Sequence, residues 1–121
     1  MGDDDAYEPD DSPAEATPIT VNGAAQSHTF TLDDQDWISF DVTSTTATYV
    51  METSNLSTSC DTYMYLYDTN GITVLDQNDD YIDLESRITR IFSSTGTYYI
   101  VVEHFSYPSG IGDYDVEVYT Q

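Results

Sequence analysis

From residue 27 onward, apolar side chains recur at every second position, and a period of two specifies strands where a period near 3.6 would specify helices. Eight short segments carry the alternation: 27–32 (SHTFTL), 37–42 (WISFDV), 47–53 (ATYVMET), 62–68 (TYMYLYD), 72–77 (ITVLDQ), 86–92 (SRITRIF), 97–104 (TYYIVVEH) and 114–120 (YDVEVYT). Turn-forming stretches separate them, among them TSTT, DTNG, SSTG and SYPSGIGD. In YDTNGI, Asn70-Gly71 suits a hairpin whose central residues take positive φ. No helical stripe of useful length interrupts the pattern. About eight strands with frequent turns predict an all-β fold, an antiparallel β-sandwich of jelly-roll-like type. It is expected over residues 19–121, behind an extended acidic arm at 1–18 that holds three of the four prolines.

Alternation also predicts the core. Ile38, Phe40 and Val42 share one strand face, as do Met64 with Leu66, Tyr98 with Ile100 and Val102, and Tyr114 with Val116 and Val118. Tyr63, Tyr65, Tyr67, Tyr99, Val101, Asp115, Glu117 and Tyr119 fall on the opposite faces, which are expected to be exposed. In 86–92 Ile88 and Ile91 have opposite parity, so that segment's facing is not assigned.

The 121 residues suffice for one domain with one modest core. They carry 23 acidic and 2 basic residues, a formal net charge of −21. That balance excludes nucleic acid, whose binding needs Lys and Arg to displace counterions, and an anionic membrane surface. No apolar run is long enough for a transmembrane helix, and the acidic start does not resemble a signal peptide. The Met-Gly start and the end at Gln121 suggest a module excised from a longer protein. Cys60 is the sole cysteine and is expected to be a partly buried small residue.

Catalysis finds no support in the motifs. His28 and His104 stand far from any nucleophile pattern and are expected on polar surface, and no HExxH, phosphate loop or nucleophile elbow occurs. Hard-cation chemistry is better served, because calcium takes six to eight oxygen ligands from carboxylates, amides and carbonyls. Carboxylates cluster in EPDD (residues 8–11), in LDDQDW (32–37) and in DQNDDYIDLE (76–85). The alternative for each cluster is a solvated acidic loop. Asn78, Asp79 and Asp80 of the third are expected to converge with Asp61 at one end of the sandwich, as a polar network with Arg87 in preference to an ion site.

Residues 7 to 119 resemble, in order, the bacterial pre-peptidase C-terminal domain. The likeness rests on YEPDDSPAEATPI, HTFTLDDQDWISFDV, CDTYMYLYDTNGITVLDQNDDY, GTYYIVVEHFS and GDYDVEVY. That family, related to the collagen-binding domains of clostridial collagenases, implies a non-catalytic β-sandwich attached to secreted proteases and other exported enzymes. It implies roles in export, stability or substrate attachment; a calcium-stiffened spacer or ligand-binding domain of a large extracellular adhesin is the alternative. In calcium-binding relatives the metal lies between arm and sandwich. At matching positions the ligands would be Glu8, Asp10, Asp11, Asp33, Asp36 and the backbone carbonyl of Tyr114, with Ala6 where relatives carry a further acid. Glu103 and Phe105 stand where collagen-binding relatives have tyrosines, so the resemblance does not carry collagen binding across.

Tyr63, Tyr65, Tyr67, Tyr99 and Phe105 remain as a candidate surface for an extracellular polysaccharide or an extended peptide polymer, since tyrosine pairs a flat apolar face with a polar tip. The expected state is a secreted monomeric module, partnered by the parent enzyme or adhesin on the same chain.

Overall fold

Strands Gln35–Val42 and Gly96–His104 pair antiparallel over eight registered positions, and the rest of the fold is laid down on either side of that ladder. A computed structural model of the chain describes residues 15–30, 35–57, 62–78, 86–104 and 112–121. It contains nine strands: β1 (Thr17–Pro18), β2 (Gln26–Phe30), β3 (Gln35–Val42), β4 (Thr48–Ser54), β5 (Thr62–Tyr67), β6 (Val74–Asn78), β7 (Arg87–Ile91), β8 (Gly96–His104) and β9 (Gly112–Thr120). They form a five-stranded sheet in the order β1-β3-β8-β5-β6 and a four-stranded sheet in the order β2-β9-β4-β7. With the two-residue β1 set aside, each sheet interleaves strands from both halves of the chain, which is the jelly-roll arrangement. β1 pairs parallel with β3, and Ile19 beyond it is buried and donates its N–H to the Ser39 carbonyl at 2.9 Å.

The core lies where alternation predicts. Ile38, Phe40, Val42, Met64, Leu66, Tyr98, Ile100, Val102, Tyr114, Val116 and Val118 are all buried between the sheets, joined by Tyr49, Met51, Ile88 and Phe92. One end of this interior is aromatic. Phe92 packs against Tyr98 with centroids 4.4 Å apart, and against Tyr49 and Phe40 at 5.6 and 6.1 Å. The two tyrosine hydroxyls there are used: Tyr98 donates to the Ser94 carbonyl at 2.8 Å, and Tyr49 accepts the Thr43 N–H at 3.1 Å.

The facing of β7 is settled by its neighbours. Ile88 and Phe92 turn inward, while Ile91 is 59% exposed. Arg90, of inward parity, sits at the sheet edge with its guanidinium 5.9 Å from the Phe92 centroid, so its charge rests on a ring face.

Two expectations are corrected. The β5–β6 connection is not a two-residue hairpin. The Asp68 N–H reaches the Thr73 carbonyl at 2.9 Å across four residues, and the Gly71 N–H bonds back to the Asp68 carbonyl. Gly71 takes positive φ (69°), but Asn70 does not; its Oδ1 accepts the Ile72 and Thr73 N–H groups, a side-chain bond that replaces the tight turn. The histidines are not on the surface either: His28 is 1% and His104 7% exposed. Both continue an inward parity, His104 after Tyr98, Ile100 and Val102, and His28 opposite Tyr114.

Candidate functional site

Opposite the aromatic end, the interior is polar. His28, Asp36, Thr53, Thr62, Ser86 and His104 are all buried there. β3 brings Asp36 inward one step before Ile38, and β2 and β9 place His28 and Tyr114 directly opposite each other. The Tyr114 hydroxyl donates to Asp36 Oδ2 at 2.6 Å, and His28 Nδ1 lies 3.7 Å from the same oxygen. The imidazole stacks on the phenol with centroids 5.5 Å apart, and its Nε2 is 3.1 Å from Gln26 Oε1. The result is a carboxyl group wholly removed from water, held by the Tyr114 hydroxyl and beside an imidazole.

Of the six residues expected to hold calcium, the structure thus brings two together, Asp36 and Tyr114. The contact between them runs through the phenol hydroxyl. Glu8, Asp10, Asp11 and Asp33 lie outside the described residues. Among the described residues no three His, Cys, Asp or Glu side chains gather as a metal site.

Beside this cluster the two sheets are joined by hydroxyls. Thr62 Oγ1 of β5 lies 2.8 Å from Thr53 Oγ1 of β4 and 2.9 Å from Ser86 Oγ. Ser86 donates its hydroxyl to the Thr62 carbonyl at 2.7 Å and its N–H to Thr53 Oγ1 at 2.9 Å, and the Thr53 N–H returns to the Ser86 carbonyl. Of Asp61, Asn78, Asp79 and Asp80 only Asn78 is described; its Oδ1 accepts the Arg87 N–H at 2.9 Å. Asp61, Asp79 and Asp80 lie outside the described residues, as do Cys60 and Phe105. Arg87 Nε is 3.6 Å from Glu52 Oε1 on the outer face of the four-stranded sheet, where Tyr119 also donates to Glu52 at 2.9 Å.

The outer face of the five-stranded sheet is aromatic. Tyr63, Tyr65, Tyr67 and Tyr99 do line it, but they are half-buried where exposed tyrosines were expected. Across the strands Trp37, Val101 and Tyr65 form one row, Ser39, Tyr99 and Tyr67 the next, and Gln35, Glu103 and Tyr63 a third. Tyr63 and Tyr65 stack at 4.9 Å, and Trp37 meets Tyr67 at 4.8 Å and Tyr99 at 6.2 Å. Trp37 and Val101, though outward by parity, are 7% and 1% exposed. Gln35 Nε2 donates to Glu103 Oε1 at 2.8 Å, yet burial dominates and holds the Glu103 carboxyl above the usual range.

The family model of the bacterial pre-peptidase C-terminal domain matches residues 34–104, more than half of the chain. The chain belongs to that family. Domains of this kind are accessory, non-catalytic modules of secreted bacterial proteases. Among solved structures, the pre-peptidase C-terminal domain of a Bacillus anthracis collagenase is similar at 17% identity and a TM-score of 0.60, over 85% of this chain and 93% of that one. PliG of Aeromonas hydrophila, a periplasmic inhibitor of g-type lysozyme, is similar at 16% identity and a TM-score of 0.55, over 88% and 97%. Both likenesses are of fold. No curated protein matches the chain.

Sequence reasoning missed His28, His104, Trp37 and the Thr53–Thr62–Ser86 network. For all but Trp37 the signal was present: each continues the parity of an inward row. Trp37 is hidden by tyrosines from two other strands, which no local pattern reveals.

Proposed function

We propose that this domain is a calcium-binding accessory module of a secreted protease or other exported enzyme, in which the metal ties the acidic N-terminal arm to the sandwich. The observation that carries the reading is Asp36. An ionised carboxylate with no exposure to water costs several kcal/mol unless other charges and donors compensate it. Tyr114 supplies one hydrogen bond. The dense carboxylates of the arm and of the segment before β3 are hard oxygen donors of the kind calcium selects.

Glu8, Asp10, Asp11, Asp33 and Asp36, with the Tyr114 carbonyl, would hold the ion. Calcium bound there would neutralise carboxylates that otherwise repel one another. Tyr114 keeps Asp36 oriented from the core side, and His28 fills the space behind it. A module built this way stiffens the junction to its parent enzyme and keeps it folded outside the cell.

Titration calorimetry and melting in calcium against EGTA test the proposal. A native-state ligand at a hundredfold excess over Kd adds about 2.7 kcal/mol of stability. EGTA should therefore lower the melting temperature beyond any effect of matched monovalent salt, and Asp11→Ala should expose the arm to protease while the sandwich stays folded. Identical melts with and without calcium, together with no calorimetric binding, would remove the metal.

A further inference from the structure

We propose that the outer face of the five-stranded sheet binds extended basic polypeptide, laying lysine and arginine side chains across the rings of Tyr63, Tyr65, Tyr67 and Tyr99, with Trp37 buried beneath them. This goes beyond the reading of the domain as a calcium-binding accessory module, and it does not depend on calcium.

Charge selects the partner. Both arginines of the chain belong to β7 in the other sheet, so no cation stands on this face. Among the described residues its charged groups are acids: Glu103 in the row of Tyr63, and Asp41 in the row below Ser39, where its Oδ1 accepts the Thr97 hydroxyl at 2.8 Å. An anionic polymer is repelled both locally and by the net charge of −21, whereas a cationic one is concentrated at the surface. Ring faces then give the cation a specific place, since the negative face of an aromatic ring attracts ammonium and guanidinium groups. Glu103, partly withdrawn from water, attracts a cation more strongly than a fully solvated carboxylate does.

Spacing selects an extended chain. Tyr63, Tyr65 and Tyr67 alternate along β5, so their rows repeat at about 6.8 Å. Alternate side chains of an extended peptide repeat at the same interval and can meet successive rows. The half-buried rings already cover Trp37 and Val101, so the face is a formed surface.

The sole tryptophan reports the binding, because Trp37 lies against Tyr67 and Tyr99. Its fluorescence should be titrated with a decapeptide of alternating lysine and glycine, with the same peptide carrying arginine, and with a chitin hexasaccharide. All titrations are run in 1 M NaCl, with calcium and with EGTA. The double variant Tyr63→Leu, Tyr65→Leu keeps apolar cover and net charge but removes two ring faces. The matching Phe pair keeps the rings and guards against a folding defect.

The expected result is saturable binding of the basic peptides, retained by the Phe pair and weakened about tenfold in the Leu pair. Equal binding by the Leu pair would mean that the acidic field alone attracts the peptide, and would overturn the proposal. So would tighter binding of the hexasaccharide, which would make the face a sugar platform. Binding lost in EGTA while the fold persists would tie the site to the metal and refute its independence. An EGTA-insensitive melt with peptide binding intact would refute only the calcium reading.

Discussion

Salt should decide whether this domain folds. Its charge of −21 comes with two arginines and no lysine. Among the described residues one carboxylate, Glu52, lies within ion-pair distance of a guanidinium. A folded chain of this length fills a sphere of about 18 Å radius, and the unfolded chain one of about 46 Å. Spreading the charge over those spheres in water, with Debye lengths of about 10 Å at 0.1 M salt and about 3 Å at 1 M, gives the repulsion that folding must overcome. It is about 15 kcal/mol at the lower salt and about 6 kcal/mol at the higher. The difference, about 9 kcal/mol, is as large as the whole stability of an ordinary domain. Raising NaCl from 0.1 to 1 M in EGTA should therefore shift the melting temperature by tens of degrees, at several degrees per kcal/mol. Near-ultraviolet circular dichroism and Trp37 fluorescence both report the packed state. Sucrose, which favours burial without screening charge, separates the two causes. A melt that moves by only a degree or two across that salt range, or that sucrose raises equally, would refute the reasoning.

Other perturbations act on single groups. Thr62→Val keeps the shape but removes the hydroxyl shared by Thr53 and Ser86, and should cost about 1–3 kcal/mol in chemical denaturation at fixed salt. Tyr114→Phe removes the donor to the buried Asp36 carboxylate and should cost about 1.5–3 kcal/mol, more than a Tyr→Phe change at half-buried Tyr99. Glu103→Gln should raise the melting temperature at neutral pH. Burial raises this carboxyl's folded pKa, so its ionisation removes stability as pH climbs from the unfolded pKa through the folded one. Below the ordinary carboxylate range the two proteins should melt alike; a benefit that persists there would mean the gain is not electrostatic.

How much of this was legible depends on which residues set the signal. Parity is a local property of a pleated strand, so the inward rows of β3, β5, β8 and β9 could be read directly, and with them the sandwich. The facing of 86–92 could not, because an edge strand satisfies its apolar residues unevenly: Ile88 is covered by the opposite sheet while Ile91 projects at the rim. Nor could the burial of Trp37 and Val101. An outward position is solvated only if its cross-strand neighbours are small or polar, and here they are tyrosines supplied by β5 and β8.

The polar end of the core shows the more general lesson. Asp36 precedes Ile38, Phe40 and Val42 in parity, Thr62 precedes Met64 and Leu66, and Thr53 follows Tyr49 and Met51. Their polarity suggests surface, while their parity places them inside. Burial won because the partners arrive from the other sheet. Tyr114 meets Asp36 across the sandwich, and Thr53 and Ser86 meet Thr62, so each group is desolvated with a donor or acceptor already in place. Such pairings join residues far apart in the chain, as with Asp36 and Tyr114 at a separation of 78. A polar residue that keeps an inward parity next to a dense acidic segment is therefore better read as one half of a cross-sheet contact than as an interruption of the strand. On that reading Asp36 is one half of a cross-sheet contact that closes the polar end of the hydrophobic core.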